Sequence, residues 1–245
     1  MSDRGRSDAD FLDGLQYLRG IAAMMVVFHH ARPFVGSGMG LDFGARGVEL
    51  FFVISGLVMM QSTRGSTIAQ ALPWRDRWQV VGDFLKRRIA RVVPLYWIAI
   101  PTFVAASGVC RVGCRRELLE DAFFVPHWNV VDPTKVWPTL VPGWTLNLEM
   151  LFYALFGCAL VFGRIGPWLT CGVIAALVSL RGAVDPHSAA QFLYTDSVML
   201  CFVTGVRLLP AAGPPRPLAV ARLVLHVAWQ SVPAGIDVMA RVFAR

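Results

Sequence analysis

Charge is scarce in this chain. Asp, Glu, Lys and Arg make up only 16% of its 245 residues, whereas a soluble domain carries about 25%. That shortage excludes one or two ordinary water-soluble domains. Acids are scarcer than bases, 16 against 23, which leaves a formal net charge of +7. The excess does not describe a nucleic-acid binder, because the bases lie between apolar segments, as they do in cytoplasmic loops of membrane proteins. Internal repeats and low-complexity tracts are missing. So is a small-residue cleavage site after the first apolar run, which is therefore expected to be a retained helix and not a secretory signal. Of five cysteines, Cys158, Cys171 and Cys201 lie in apolar runs and are expected to pack as small hydrophobes. Cys110 and Cys114 share a loop. They read as two thiols, or as a disulfide where the loop meets an oxidising compartment. A metal site would need further ligands nearby, and none is visible.

Hydrophobic residues are abundant, at 56%, with a mean hydropathy of +0.55. A membrane-crossing helix needs about 20 mostly apolar residues. Clear candidates run over 15–34, 47–60, 84–107, 144–162, 167–180 and 191–209. Two weaker ones are 118–125 and the tail after 210, which carries Arg222 and His226. The expected fold is all-α, a polytopic transmembrane helical bundle of about six to eight helices. Residues 1–14 form a short N-terminal segment, 15–209 the membrane domain and 210–245 a divergent tail. The connection from Arg64 to Arg91 holds seven bases against Asp76 and Asp83, which places it, and the N-terminus two helices earlier, on the cytoplasmic side.

Charges within apolar segments are costly and usually functional. Arg19 and His30 stand eleven residues apart, which on a helix is about three turns, so both project from one face roughly 16.5 Å apart. His29 points about 100° away. Arg19 has a structural reading as a residue that snorkels to the headgroups. His30 has one as a hydrogen-bonding partner for another helix, and a chemical one as a general base. Glu49 opens the second span, where it complements a helix dipole. Glu149, with Asn147 close by, lies in an apolar helix after Trp144. It orients a histidine or pairs with an arginine. Arg87, Arg88 and Arg91 sit one turn apart. They read as anchors on anionic lipid or as a dock for phosphates. Pro94 is expected to kink the helix beside them.

These residues fall in four ordered motifs. They are Leu15 to Ala23 with His30, Gly47 to Gly56, Lys86 to Arg91 with Pro94 and Tyr96-Trp97, and Gly143 to Met150 with Phe152-Tyr153. Pro126 to Asn129 adds a shorter match. Together they resemble the membrane-bound acyltransferase family 3, of the exopolysaccharide O-acetyltransferase type. The resemblance implies an inner-membrane enzyme that moves an acyl group, typically acetyl, from acyl-CoA to a hydroxyl of a cell-surface or exported glycan. No tightly bound cofactor or metal is implied, and the partners are acyl-CoA, the glycan or lipid-linked glycan acceptor, and membrane lipid. It also implies His30 and Glu149 as catalytic residues. Arg19, Arg88, Arg91, Trp144 and Asn147 become substrate-binding residues. The resemblance fades after Leu209, so the tail is expected to be that of a truncated chain. Two alternatives follow: an inactive fragment of such an enzyme, or a transporter or lipid-carrier-handling protein whose charges line a path.

Overall fold

The structure, a computed structural model, describes residues 3–35, 43–63, 72–108, 114–183 and 185–208. Cys110 and the tail after residue 208 lie outside them. The described residues contain helices and no strand. In chain order these are α1 (Asp3–Val35), α2 (Phe43–Thr63), α3 (Trp74–Ser107), α4 (Cys114–Ala122) and α5 (Gly143–Ala159). A 3-10 turn (Leu160–Ile165) leads to α6 (Gly166–Ala183), α7 (Ala189–Tyr194), a second 3-10 turn (Ser197–Met199) and α8 (Leu200–Arg207). Among the described residues two stretches are long and apolar enough to cross a membrane: α3, and the run Gly143–Ala183 that contains α5 and α6.

The sequence expectations for 15–34, 47–60 and 84–107 fall inside α1, α2 and α3, and those for 144–162 and 167–180 fall on α5 with its turn and on α6. Two expectations need correction. The stretch 118–125 is mostly the nine-residue α4, about 13.5 Å long and too short to cross. The stretch 191–209 is not one helix. α7 stops at Tyr194, and Asp196 Oδ1 accepts the Val198 N–H at 2.9 Å. A carboxylate that caps a local N–H in this way competes with helix continuation.

The chain divides into two compact units, Met1–Gly65 with Leu200–Arg245, and Ser66–Met199. In the first, α1, α2 and α8 pack through glycines. A Cβ on Gly47 would stand 2.7 Å from the Ala22 carbonyl oxygen of α1. A Cβ on Gly56 would run into the Phe202 carbonyl, and one on Gly205 into the Val53 carbonyl. Small residues that let backbones touch are a common device where lipid removes the hydrophobic drive between helices. Phe52 and Phe202 stack beside this crossing with centroids 4.4 Å apart. Leu50, Ile54, Leu57 and Val206 fill the core.

In the second unit α3 and α5 run antiparallel. Gly143 meets the Tyr96 hydroxyl, and fourteen residues later Gly157 lies on Phe84 and Leu85. The Phe84 and Phe156 rings are 6.0 Å apart. α5 and α6 fold back on each other at Gly163, whose φ of 63° and ψ of −128° break the helix. Gly166 then abuts the Ala159 carbonyl. Arg77 ties this turn to α3: its Nη1 donates to Val161 O and its Nε to Leu72 O, both at 3.1 Å. At the other end of α6, Arg181 Nη1 donates to Phe192 O at 2.9 Å. The Ser188–Gln191 capping box starts α7 there. Large apolar side chains stay exposed along α3, with Leu95 at 71% and Ile98 at 64%. Contiguous apolar surface of this kind marks a face meant for something other than water.

Candidate functional site

In the first unit α1 is uninterrupted from Arg19 to His30, so the eleven-residue spacing does put both on one stripe. Ala22 and Val26, which Gly47 of α2 approaches, belong to the same side of α1: from Arg19 to Val26 to His30 the chain advances seven and then four residues. The α2 contact therefore runs alongside the stripe. Arg19 is half-buried and His30 exposed. The His29 ring meets the His30 ring edge to face at 5.4 Å. Glu49 is 8% exposed, and its Oε2 has no hydrogen-bond partner. Arg46, one turn before it, acts on it through charge. Such burial goes beyond what complementing a helix end requires.

The second unit holds Arg88, Arg91, Trp144, Asn147 and Glu149. Arg88 lies between two rings: its guanidinium carbon is 5.4 Å from the Phe84 centroid and 6.0 Å from that of Tyr153. Its Nε is buried and has no hydrogen-bond partner. Tyr153, itself buried, donates its hydroxyl hydrogen to Glu149 Oε1. Glu149, Arg87 and Arg91 all lie within electrostatic reach of Arg88. Arg91 is exposed and Trp144 half-buried. Asn147 is 4% exposed, and its Oδ1 has no hydrogen-bond partner. It stands two positions before Glu149, so the two project about 200° apart on α5. The structure thus brings Arg88 and Glu149 together through Tyr153, while Asn147 faces elsewhere.

Sequence reasoning placed Tyr153 in a motif without giving it a role, and passed over Phe84. Both signals were there. Tyr153 follows Glu149 by four residues and Phe84 precedes Arg88 by four, the spacing at which helical side chains meet.

A second polar cluster had no role in the sequence reading, although its His127 lies in the Pro126–Asn129 match. Asp121, at the end of α4, is 1% exposed. Its Oδ2 accepts the Thr139 N–H at 2.9 Å, and its Oδ1 has no hydrogen-bond partner. His127 stands between two carboxylates, with Nε2 3.7 Å from Asp121 Oδ1 and Nδ1 3.7 Å from Glu120 Oε2. Burial pushes the Asp121 carboxyl above its usual range, although the Thr139 and His127 contacts pull it back. His127 thus links the two acids at the end of α4 to the coil that follows it. Among the described residues no group of three or more His, Cys, Asp or Glu is arranged to hold a metal ion.

Residues 12–208 match the acyltransferase domain of acyltransferase family 3. The chain belongs to that family. It is 34% identical over 188 residues to the exopolysaccharide production protein ExoZ of Rhizobium meliloti (strain 1021), a match that covers 74% of this chain and 54% of ExoZ. It is also 34% identical over 99 residues to Protein 2 in the picA locus of Rhizobium radiobacter, covering 40% of this chain and 45% of that protein. The chain thus spans about half the length of these curated relatives. No solved structure matches it. Both the Arg19–His30 stripe and the Arg88–Tyr153–Glu149 cluster lie within the matched residues 12–208.

Proposed function

We propose that this acyltransferase is an integral inner-membrane protein with a cytoplasmic N-terminus. It moves an acyl group, acetyl in the first instance, from acyl-CoA to a hydroxyl of a cell-surface or exported polysaccharide. The observation that carries the reading is the Arg19–His30 stripe on one unbroken helix. An arginine and an imidazole on one face of the largely apolar stretch 15–34 are costly in a lipid surround unless used. They lie within the segment that matches the family, although α1 as a whole is not among the stretches apolar enough to cross by composition. The likeness to ExoZ, named an exopolysaccharide production protein, supports a glycan acceptor. The exposed apolar faces of α3 and α6 support a lipid surround.

In this reading His30 takes the proton of the acceptor hydroxyl as its oxygen attacks the thioester carbonyl. The C–S bond breaks, and the thiolate leaves and receives the proton, giving an ester and a free thiol. Arg19 in the first unit, and Arg88 and Arg91 in the second, each carry a guanidinium suited to a phosphate, a match that suits arginine better than lysine. Trp144 and Asn147 contact substrate. Glu149 supplies negative charge beside Arg88 through Tyr153, which favours the arginine-paired role for this acid.

The test is replacement of His30 by Ala, with ester-linked acetate on extracellular polysaccharide as the readout. The expected result is loss of the esters at an unchanged amount of membrane-embedded protein. Full acetylation by the variant overturns the mechanism.

A further inference from the structure

We propose that Tyr153 is a positioning residue that sets two partners at once, the carboxylate of Glu149 and the guanidinium of Arg88. The inference rests on the acyl-transfer reading above and goes beyond it by giving a role to a residue that has none there. Three observations carry it. The Tyr153 hydroxyl donates to Glu149 Oε1, one helical turn away on the same face of α5. The other side of its buried ring system meets Arg88, with 6.0 Å between guanidinium carbon and centroid. Arg88 Nε is buried without a hydrogen-bond partner.

The last point gives the arrangement its direction. A buried donor left unmet costs free energy, so it is retained where something else will fill it. Arg88 is seated by the rings of Phe84 and Tyr153. Ring faces hold a guanidinium's plane by cation–π attraction without spending its N–H donors. The donors then remain available to an anionic oxygen of the donor substrate, a phosphate or the developing oxyanion of the thioester. Meanwhile the hydroxyl fixes the acid that balances this charge. Tyr153 thus links acid and base across the α3–α5 interface, one through its oxygen and the other through its ring.

The two halves of the role are separable by substitution in the full chain. Tyr153→Phe keeps the ring and removes the hydroxyl. It is expected to lower kcat about tenfold and leave the donor KM within about twofold. Tyr153→Leu removes both, and is expected in addition to raise the donor KM at least about fivefold. A merely structural tyrosine would reduce the amount of active protein in both variants and leave the donor KM alone. That pattern overturns the proposal. A second measurement does not depend on turnover: thermal unfolding of Tyr153→Phe, Glu149→Gln and the double variant in detergent. If the hydroxyl serves the acid, the two single losses do not add in the double variant, and additive losses overturn the contact. Should the wild-type chain transfer no acyl group from any thioester, the acyl-transfer reading fails, and the unfolding cycle still decides the Tyr153–Glu149 pairing.

Discussion

Asp121 is buried and Arg88 half-buried with a buried Nε, and they differ in what surrounds them. Arg88 is framed by rings. Replacing it with Lys keeps the charge and loses the planar fork. The expected outcome is a donor KM raised about tenfold with protein abundance unchanged, measured by acyl transfer from the thioester. Asp121 is framed by backbone and histidine. Its carboxyl is held above its usual range mainly by burial, so the folded chain favours the protonated form. That contribution to stability is present below the ordinary carboxylate value of about 3.9 and is lost as pH rises through the elevated folded one. Asp121→Asn has no proton to lose. Its unfolding midpoint relative to wild type should therefore climb between pH 4 and pH 7, and a constant difference would refute the assignment. Arg88 was legible from its motif. Asp121 was not, because its environment is made by Thr139 and Tyr96, residues 18 and 25 positions away in the chain.

At the level of elements, the glycine contacts make the sharpest demands. Gly56→Ala and Gly205→Ala each push a methyl into the facing carbonyl where α2 and α8 cross. Overpacking of this kind costs about 1–3 kcal/mol, seen as a lower unfolding midpoint. Gly82→Ala, in open space on α3, is the matched control and should be neutral or slightly stabilising. The helices themselves were largely readable from apolar runs, but their starts were not. α1 begins at Asp3 where hydropathy suggests Leu15. α3 begins at Trp74 where hydropathy suggests Phe84. The missing turns of α3 are amphipathic: Trp74, Trp78 and Val81 recur at helical spacing among Arg75, Asp76 and Arg77, so a window that averages hydropathy passes over them. The break at residues 195–199 was hidden for the opposite reason. Its apolar neighbours mask one aspartate that captures a backbone N–H.

For the whole molecule, the reading of sidedness follows from where the bases lie. With the native cysteines replaced by serine, a cysteine introduced at Arg75 should react with an impermeant maleimide only after permeabilisation. One introduced at Val131 should react in intact spheroplasts. The reverse pattern would invert the protein in its bilayer. The second of these positions belongs to the coil between α4 and α5, one end of which is organised by Asn129. Asn129 Oδ1 accepts the N–H groups of Val131 and Asp132, its Nδ2 donates to Trp137 O, and its own N–H bonds Lys135 O at 2.8 Å. Amide groups that lean on an asparagine in place of a helical neighbour have no home among hydrocarbon tails. In the proposed membrane reading this knot of coil therefore marks a waterline. A polarity-sensitive dye on Val131, 77% exposed at its tip, should read an aqueous or headgroup environment, and one that reads oil would mean the bilayer has been drawn at the wrong height.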